Sequence, residues 1–184
     1  WDGKVGKWTE SHLPFDPRGL SAGVLDKGNT ASFYDPAGTV WTYRNKVWLK
    51  ATVTPANDRV GLLRDVDNDG IVEWLGKRIH KWDPARRRWR ALSHVVPSAV
   101  QLNDPAIRFV DLNADGFDDI LFSDKTRWGI YLWEQRENAG LGWRPGWSYV
   151  VSEGLRDDPD ALPMISRGGE HPNNGAWIHT DHIW

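Results

Sequence analysis

A nine-residue acidic pattern occurs twice in this chain and constrains its fold more than any other feature. Residues 65–73 read DVDNDGIVE, and residues 111–119 read DLNADGFDD. In both copies, side chains with a carboxylate or amide oxygen occupy positions 1, 3, 5 and 9, and glycine occupies position 6. A short apolar segment lies on each side of both copies. This arrangement predicts a structural repeat in which the acidic loop connects two strands.

Tryptophans repeat along the same units. The recurring positions are Trp1, Trp41, Trp82, Trp133 and Trp184, and the first three have a second tryptophan seven residues later, at Trp8, Trp48 and Trp89. In a hairpin with a two-residue loop, residues i and i+7 lie opposite each other on one face. The spacing therefore predicts cross-strand tryptophan pairs. A total of 13 tryptophans indicates many similar packing niches, because each one brings a large surface to be buried.

Four short strands account for each unit. The segments RVGLL, IVEWL, RIHKW and RRWRAL of one copy correspond to AIRFV, DDILF, GIYLW and GWSYVV of the other. Four strands in roughly 40–50 residues are typical of a propeller blade. We therefore predict an all-β chain that forms part of a β-propeller with four-stranded antiparallel blades. A β-sandwich or barrel with accidental repetition is the alternative.

The predicted blade-like units extend over the whole chain, 1–184. They comprise 1–14 as the end of one blade, 20–53, 59–96 and 106–152 as three blades, and 161–184 as the start of another. An incomplete set of blades would leave strand edges and apolar faces uncovered. The chain also starts at Trp1 without a methionine. We therefore expect a piece of a longer polypeptide, in which the remaining blades, other domains or another protein cover these surfaces.

The acidic loops carry the chemistry of a calcium site. Ca²⁺ takes six to eight oxygen ligands at about 2.3–2.6 Å, and alternate carboxylates converge when the chain coils tightly with glycine at the bend. The predicted ligands of the first site are Asp65, Asp67, Asp69, the Ile71 carbonyl and Glu73, and those of the second are Asp111, Asn113, Asp115, the Phe117 carbonyl and Asp119. We predict two Ca²⁺ ions with a structural role, each tying together the first two strands of a blade.

Other interpretations of these loops are constrained by their surroundings. An EF-hand is excluded, because strands are predicted on both sides and position 12 is Gly76 or Phe122 instead of glutamate. Oxygen-only donors favour Ca²⁺ over zinc or copper, and Mg²⁺ demands a stricter octahedron. A plain Asp/Asn/Gly turn without an ion remains open, since these residues favour turns in any case.

Composition excludes several other classes. The absence of cysteine rules out disulfides, thiolate metal sites and covalent haem attachment within these 184 residues. No segment approaches the ~20 consecutive apolar residues of a transmembrane helix. The net charge of −2 gives no support for nucleic-acid binding, and the arginines of ARRRWR at 85–90 are expected on a solvated outer strand.

Two resemblances concern the acidic loops and their surroundings. Residues 109–124, FVDLNADGFDDILFSD, resemble the FG-GAP/VCBS repeat, whose units build calcium-binding β-propellers. Over most of the chain, LPFDPRGLSAG, IRFVDLNADGFDDILFSDKTRWGIYLWE and NNGAWIHTDHIW resemble a propeller region of large exported bacterial proteins described as membrane-bound dehydrogenases. That resemblance implies an extracytoplasmic, multidomain parent (periplasmic, cell-surface or secreted) with a haem-binding segment and a redox role. It implies no catalytic residue in this segment.

Three functions follow as hypotheses. The first is a calcium-binding propeller segment that acts as a structural or interaction scaffold of a larger protein. The second is the propeller portion of a haem-associated or sugar-type dehydrogenase whose active site lies outside this segment. The third is a carbohydrate-binding, lectin-like propeller, which solvent exposure of Trp41, Trp82 and Trp133 would favour over simple packing. No catalytic constellation is found, which leaves the enzyme question open and favours a non-catalytic segment.

A polar stretch near the end of the chain is a further candidate site. The segment GGEHPNNGAWIHTDH at 168–182 gathers Glu170, His171, His179, Asp181 and His182. A transition-metal site or an acid–base pair could be built from them. On a single strand, His179 and Asp181 share one face and His182 takes the other, so they converge only across a bend. A polar loop at the edge of a blade is the alternative.

Overall fold

A computed structural model describes residues 12–56, 58–136, 140–142 and 144–167, together with the backbone of the strands Ile178–His179 and His182–Ile183. The described residues form 14 strands and no helix, so the predicted all-β class is confirmed. Within these ranges, no helix is long and apolar enough to cross a membrane. The predicted units 1–14 and 161–184 lie largely outside the described residues.

Three antiparallel sheets of four strands follow one another, each with its strands paired in sequence order. The first sheet contains β1 (Ser21–Val24), β2 (Ala31–Asp35), β3 (Thr39–Arg44) and β4 (Val47–Thr52). The second contains β5 (Leu62–Arg64), β6 (Glu73–Leu75), β7 (Ile79–Asp83) and β8 (Arg88–Ala91). The third contains β9 (Ile107–Val110), β10 (Asp119–Ser123), β11 (Arg127–Glu134) and β12 (Gly146–Leu155). A short hairpin of β13 (Ile178–His179) and β14 (His182–Ile183) follows.

The turn between β3 and β4 shows why one predicted tryptophan pair is wrong. Asn45 and Lys46 have positive φ angles of 50° and 65°, as in a two-residue type I′ turn. This turn places Trp41 opposite Lys50, whereas the predicted pairing would have placed it opposite Trp48. The turn is centred one residue later than the tryptophan spacing implies. The two tryptophans are therefore diagonal neighbours on one face of the sheet.

The predicted tryptophan pair of the second sheet is confirmed, and the third sheet has a comparable contact that the spacing did not predict. Trp82 and Trp89 lie directly opposite each other in β7 and β8, with ring centroids 5.4 Å apart. Trp133 of β11 and Trp147 of β12 meet at right angles, with centroids 4.9 Å apart, although a long hairpin separates them. The predicted Trp1–Trp8 pair lies outside the described residues. The adjacent third and fourth strands of these two sheets therefore share an aromatic contact.

Side-chain alternation gives the sheets apolar faces that pack on one another. Between the first and second sheets, Tyr34 packs edge-on against Trp74 at 5.1 Å and lies 5.0 Å from Trp89. Between the second and third sheets, a larger core is formed by both sheets and the linker that joins them. Its buried residues are Val66, Leu75, Ile79, Val100, Leu102, Ala106, Ile107, Ile120, Phe122, Tyr131, Trp133 and Trp147.

The first strands of consecutive sheets approach one another closely. Gly23 of β1 has no room for a side chain, because a Cβ there would lie 2.6 Å from Val72 Cγ2 and 3.4 Å from Leu63 Cδ1. Arg64 of β5 reaches β9, with Nη2 3.4 Å from the Phe109 carbonyl oxygen. The first strand of the first sheet therefore lies beside that of the second, and a side chain of the second sheet's first strand reaches that of the third.

Each linker between sheets binds the fourth strand of the next sheet. Thr54, after β4, forms a parallel bridge with Arg88 of β8, and Val95, after β8, forms one with Gly146 of β12. The carbonyl oxygen of Val95 also accepts the Trp147 N–H at 3.0 Å. The same relation at both junctions shows that the three sheets are related by a regular repeat.

Candidate metal centre

The first acidic loop, 65–73, joins β5 to β6, and the second acidic loop, 111–119, joins β9 to β10. Both are built on the same hydrogen bonds, in which the carboxylate at position 1 accepts the N–H groups of positions 5 and 6. Asp65 Oδ1 lies 3.2 Å from Asp69 N, and Asp65 Oδ2 lies 2.9 Å from Gly70 N. Asp111 accepts the two equivalent N–H groups at 3.0 and 2.9 Å. Position 1 thus organises the backbone of its own loop.

Positions 5 to 7 are also equivalent in the two loops. Asp69 Oδ1 accepts the Ile71 N–H at 3.0 Å, and Asp115 Oδ1 accepts the Phe117 N–H at 2.9 Å. The glycines at position 6 have φ angles of 84° and 90°, which L side chains rarely adopt. The residues predicted to offer a carbonyl at position 7 are therefore held by the acid two residues before them.

The carboxylates at position 9, Glu73 and Asp119, are completely buried. Glu73 Oε2 accepts the Val66 N–H at 3.2 Å, and Asp119 Oδ2 accepts the Leu112 N–H at 2.8 Å. Burial, together with repulsion from Asp67, raises the pKa of Glu73 to about 7. Burial raises the pKa of Asp119 to about 6. A positive charge near either carboxylate would offset the cost of burying it in ionised form.

Three acids of the first loop come together. Asp65, Asp67 and Glu73 each offer one oxygen, and these oxygens all lie within 4.8 Å of one another. Asp67 Oδ1 is buried and accepts no hydrogen bond from the described residues. Glu73 Oε1 lies 3.2 Å from Lys81 Nζ, an ion-pair distance without the geometry of a hydrogen bond. These oxygens have lone pairs left for a hard cation, so the donor set fits Ca²⁺.

Lys81 of β7 places its ammonium group among the acids of the first loop. Its Nζ lies 2.9 Å from Asp67 Oδ2 and 2.6 Å from Asp69 Oδ2, in addition to its contact with Glu73. Burial lowers the pKa of Lys81, but hydrogen bonds to Asp69 and Asp67 and attraction by Glu73 outweigh it, so the pKa is raised overall. Lys81 is therefore charged and neutralises part of the acidic loop.

Lys81 was not among the predicted site residues, although the sequence contains a signal for it. Lys81 directly precedes Trp82, and the residues before the equivalent Trp41 and Trp133 are Val40 and Leu132. Among repeats that otherwise place an aliphatic residue here, one lysine indicates an acidic partner nearby. Comparison of the repeats at this position would have identified it.

The second loop does not bring its acids together in the same way. Asp111, Asp115 and Asp119, all within the described residues, form no group of three with oxygens within 4.8 Å of one another. Asn113 Nδ2 instead donates to Asp115 Oδ2 at 2.8 Å, and Asp119 Oδ1 accepts the Trp133 N–H at 2.8 Å. The predicted ligands therefore lie on a common backbone turn but do not converge, as expected of carboxylates that repel one another.

The two acidic loops contact each other. Arg64, the residue before the first loop, donates from Nη2 to Asp118 Oδ1 in the second loop at 3.0 Å. A Cβ on Gly116 would lie 3.2 Å from Asn68 Nδ2, so the tips of the loops also meet. The arginine partly balances the charge of the second loop, although Asp118 is not one of the predicted ligands.

The tryptophans considered as sugar platforms are packing residues in this structure. Trp133 is 2% exposed and lies in the core between the second and third sheets. Trp82 is partly buried between the first and second sheets. Trp41 is half-buried, and the ring of Phe15 stacks on it with centroids 4.6 Å apart. The tryptophan that recurs on the third strand of each sheet therefore makes contacts within the protein.

The arginine cluster lies on an exposed strand only in part. Arg88 and Arg90 are exposed on β8 and flank the buried Trp89. Arg86 precedes the strand, where Nη1 binds Asp83 Oδ2 at 3.0 Å. The first two arginines therefore belong to the turn and do not continue the strand face.

The histidine-rich stretch is only partly described. Glu170, His171 and Asp181 lie outside the described residues. The backbone register pairs His179 of β13 with His182 of β14. These two histidines therefore lie opposite each other on adjacent strands.

Comparison of the chain with protein-family models, with curated proteins and with solved structures finds no match. The resemblances to FG-GAP/VCBS repeats and to membrane-bound dehydrogenases therefore stay predictions. The geometry of the loops and sheets is the basis for assigning a function.

Proposed function

We propose that this chain is a segment of a calcium-binding β-propeller that acts as a structural or interaction scaffold in a larger extracytoplasmic protein. The observation that carries the proposal is the common hydrogen-bond frame of the two acidic loops. Positions 1, 5 and 9 use their carboxylates in the same way in both copies. A frame repeated in this detail favours a shared role over two unrelated turns.

Two features of the sheets support a propeller. In a propeller, four-stranded sheets surround a central axis, with corresponding strands of neighbouring sheets side by side. Here β1 lies beside β5, Arg64 of β5 reaches β9, and each of the two linkers joins the fourth strand of the next sheet. An experimental structure of the longer chain tests this arrangement. Sheets packed face to face without a common axis would contradict it.

One aromatic face of the first sheet, covered among the described residues by Phe15, supports packing against a further blade. This face points away from the second sheet and carries Phe33, Trp41 and Trp48, with Phe15 in contact with all three rings at centroid distances of 4.6–5.3 Å. The equivalent faces of the second and third sheets are covered by the preceding sheet. The partner proposed for this surface is a remaining blade of the parent chain.

The role proposed for calcium is structural. Each loop connects the first two strands of its sheet, and its position-9 acid is the first residue of the second strand in both cases. A divalent cation would balance carboxylates that are partly or wholly buried, and would hold the ends of the two strands together. Its binding would increase the free energy of unfolding by RT ln(1 + [Ca²⁺]/Kd).

Calorimetric titration of the chain with Ca²⁺, combined with melting in Ca²⁺ and in EGTA, tests the proposal. The variant is Asp115→Asn, which removes a charge but can keep the oxygen that accepts the Phe117 N–H. Asp35→Asn is the matched control, because Asp35 Oδ1 accepts the Ala37 N–H at 2.8 Å in an ordinary turn. We expect Asp115→Asn to weaken Ca²⁺ binding about tenfold or more and Asp35→Asn to leave it unchanged.

Two results would contradict the calcium assignment. One is the absence of binding heat and of any difference between melting in Ca²⁺ and in EGTA. The other is an equal loss of affinity in both variants, which would point to non-specific attraction of the cation to surface charge. Either result leaves the all-β architecture unaffected.

A further inference from the structure

We propose that the Lys81 ammonium group serves as the cation of the first acidic loop, so that this loop closes without metal and the second loop alone depends on calcium. The statement about the second loop rests on the proposed function, whereas the statement about Lys81 does not. It assigns different roles to two loops whose backbones are equivalent.

The position of the ammonium group carries the inference. Lys81 Nζ lies within 3.2 Å of three carboxylates, those of Asp67, Asp69 and Glu73. All three belong to the predicted ligand set of the first loop. The ammonium group donates hydrogen bonds to Asp67 and Asp69, and it attracts the Glu73 carboxylate as an ion pair. It therefore supplies positive charge to two of the three acids whose oxygens converge, Asp67 and Glu73.

The environment of this group makes it more than a surface ion pair. The Glu73 side chain is 1% exposed, and the Lys81 side chain is 23% exposed. A buried carboxylate without a counter-charge is strongly unfavourable, whereas a pair with close contacts recovers most of the cost. The lysine thus provides a counter-charge for an acid buried inside the second sheet.

The second loop provides the internal comparison. Its residue equivalent to Lys81 is Leu132, which also directly precedes the tryptophan of the third strand. Among the described residues, no lysine or arginine forms an ion pair with Asp111, Asp115 or Asp119. Three acids of the first loop have oxygens within 4.8 Å of one another, and two of them contact the ammonium group, whereas the three acids of the second loop form no such group. The difference in side-chain geometry therefore follows the presence of the lysine.

A consequence for metal binding follows from the geometry. A Ca²⁺ ion entering the first loop would have to displace Lys81 Nζ from Asp67 and Asp69, and like-charge repulsion opposes the presence of both. The first loop should therefore bind Ca²⁺ much more weakly than the second. Removal of the lysine should open the first site, and a lysine placed at Leu132 should close the second.

The test measures calcium stoichiometry and melting for four proteins: wild type, Lys81→Met, Leu132→Lys and Lys125→Met. Lys125 is an exposed lysine in the turn between β10 and β11 and serves as the control. We expect one Ca²⁺ per chain in wild type and Lys125→Met, two in Lys81→Met, and none in Leu132→Lys. In EGTA, we expect Lys81→Met to lower the melting temperature by roughly 5–10 °C relative to Lys125→Met.

Each outcome decides a different statement. Two Ca²⁺ per chain in wild type, unchanged by Lys81→Met, would overturn the inference and leave the proposed function intact. No Ca²⁺ binding in any protein would overturn the proposed function, and the EGTA melting of Lys81→Met against Lys125→Met would then decide whether Lys81 holds the first loop. If Lys81→Met does not fold, the loss of binding in Leu132→Lys decides the inference.

Discussion

Arg64 of the second sheet binds Asp118 of the second acidic loop through both oxygens of its carboxylate. Nη2 lies 3.0 Å from Oδ1, and Nε donates to Oδ2. The guanidinium also lies over the ring of Phe109, 5.0 Å from its centroid. This contact links the end of β5 to the loop that follows β9.

The first prediction concerns the coupling between these two residues. A double-mutant cycle with Arg64→Met and Asp118→Asn should give an interaction free energy of about 0.5–1.5 kcal/mol, because the pair is bidentate but partly exposed. Urea denaturation of the four proteins measures it. The control is the cycle with Arg86→Met and Asp83→Asn, a more exposed pair within one turn, for which a smaller coupling is expected. Equal coupling in both cycles would contradict a special role for Arg64.

The second prediction separates two buried tryptophans. Trp147 Nε1 donates to the Asp118 carbonyl at 2.7 Å, whereas Trp133 Nε1 finds no acceptor among the described residues. Both side chains are buried, so replacement by phenylalanine removes similar surface. Trp147→Phe should cost about 1 kcal/mol more than Trp133→Phe in the free energy of unfolding, because it also leaves a carbonyl unpaired. Equal costs in urea denaturation would show that the hydrogen bond contributes nothing.

The third prediction concerns pH in the absence of calcium. Asp119 has a pKa of about 6 in the folded chain, above its ordinary value of 3.8. The folded state therefore binds more protons between these values, and the contribution of Asp119 to stability is fully present below pH 3.8 and is lost as the pH rises through 6. The free energy of unfolding in EGTA, wild type minus Asp119→Asn, should fall across this window. Taking this difference cancels the contributions of groups such as Glu73 and His94, which are present in both proteins. A difference that rises with pH across this window would contradict the prediction.

The fourth prediction compares the glycines at position 6. Gly70 and Gly116 have φ angles of 84° and 90°, so alanine at either position should destabilise the chain by about 1–2 kcal/mol. Gly116→Ala should cost more, because its Cβ would lie 3.2 Å from Asn68 Nδ2, whereas a Cβ on Gly70 meets nothing within 4 Å. Thermal denaturation of the two variants measures this difference. A Gly70→Ala variant as stable as wild type would argue against a strained turn.

Much of the local structure could be predicted from the sequence, because it depends on neighbouring residues. Apolar runs beside Asx-rich turns located the strands on both sides of each acidic loop, and the seven-residue spacing placed Trp82 opposite Trp89. The same spacing failed for Trp41, because the positive φ angles of Asn45 and Lys46 shifted the turn by one residue. Register depends on turn conformation, which tryptophan spacing alone does not report.

The candidate site was predictable in its backbone but not in its charge balance. The acids at positions 1 and 9 could be predicted from the repeat. Lys81, eight residues after Glu73 in the sequence, reaches the first loop from β7. Such contacts depend on how a third strand lies against the loop. The contact between Arg64 and Asp118 likewise depends on the packing of two sheets, which neither periodicity nor turn signals specify.

The bridges from Thr54 to Arg88 and from Val95 to Gly146 have a consequence for how the chain comes apart. Each of these linkers pairs with the edge strand of the sheet that follows it, so neither the second nor the third sheet can unravel without releasing backbone groups of the preceding linker. The cooperative unit of unfolding is therefore larger than one sheet, and a nick between β11 and β12 should loosen the second sheet as well as the third. Loss of structure in one sheet would therefore loosen the sheet that precedes it in the chain.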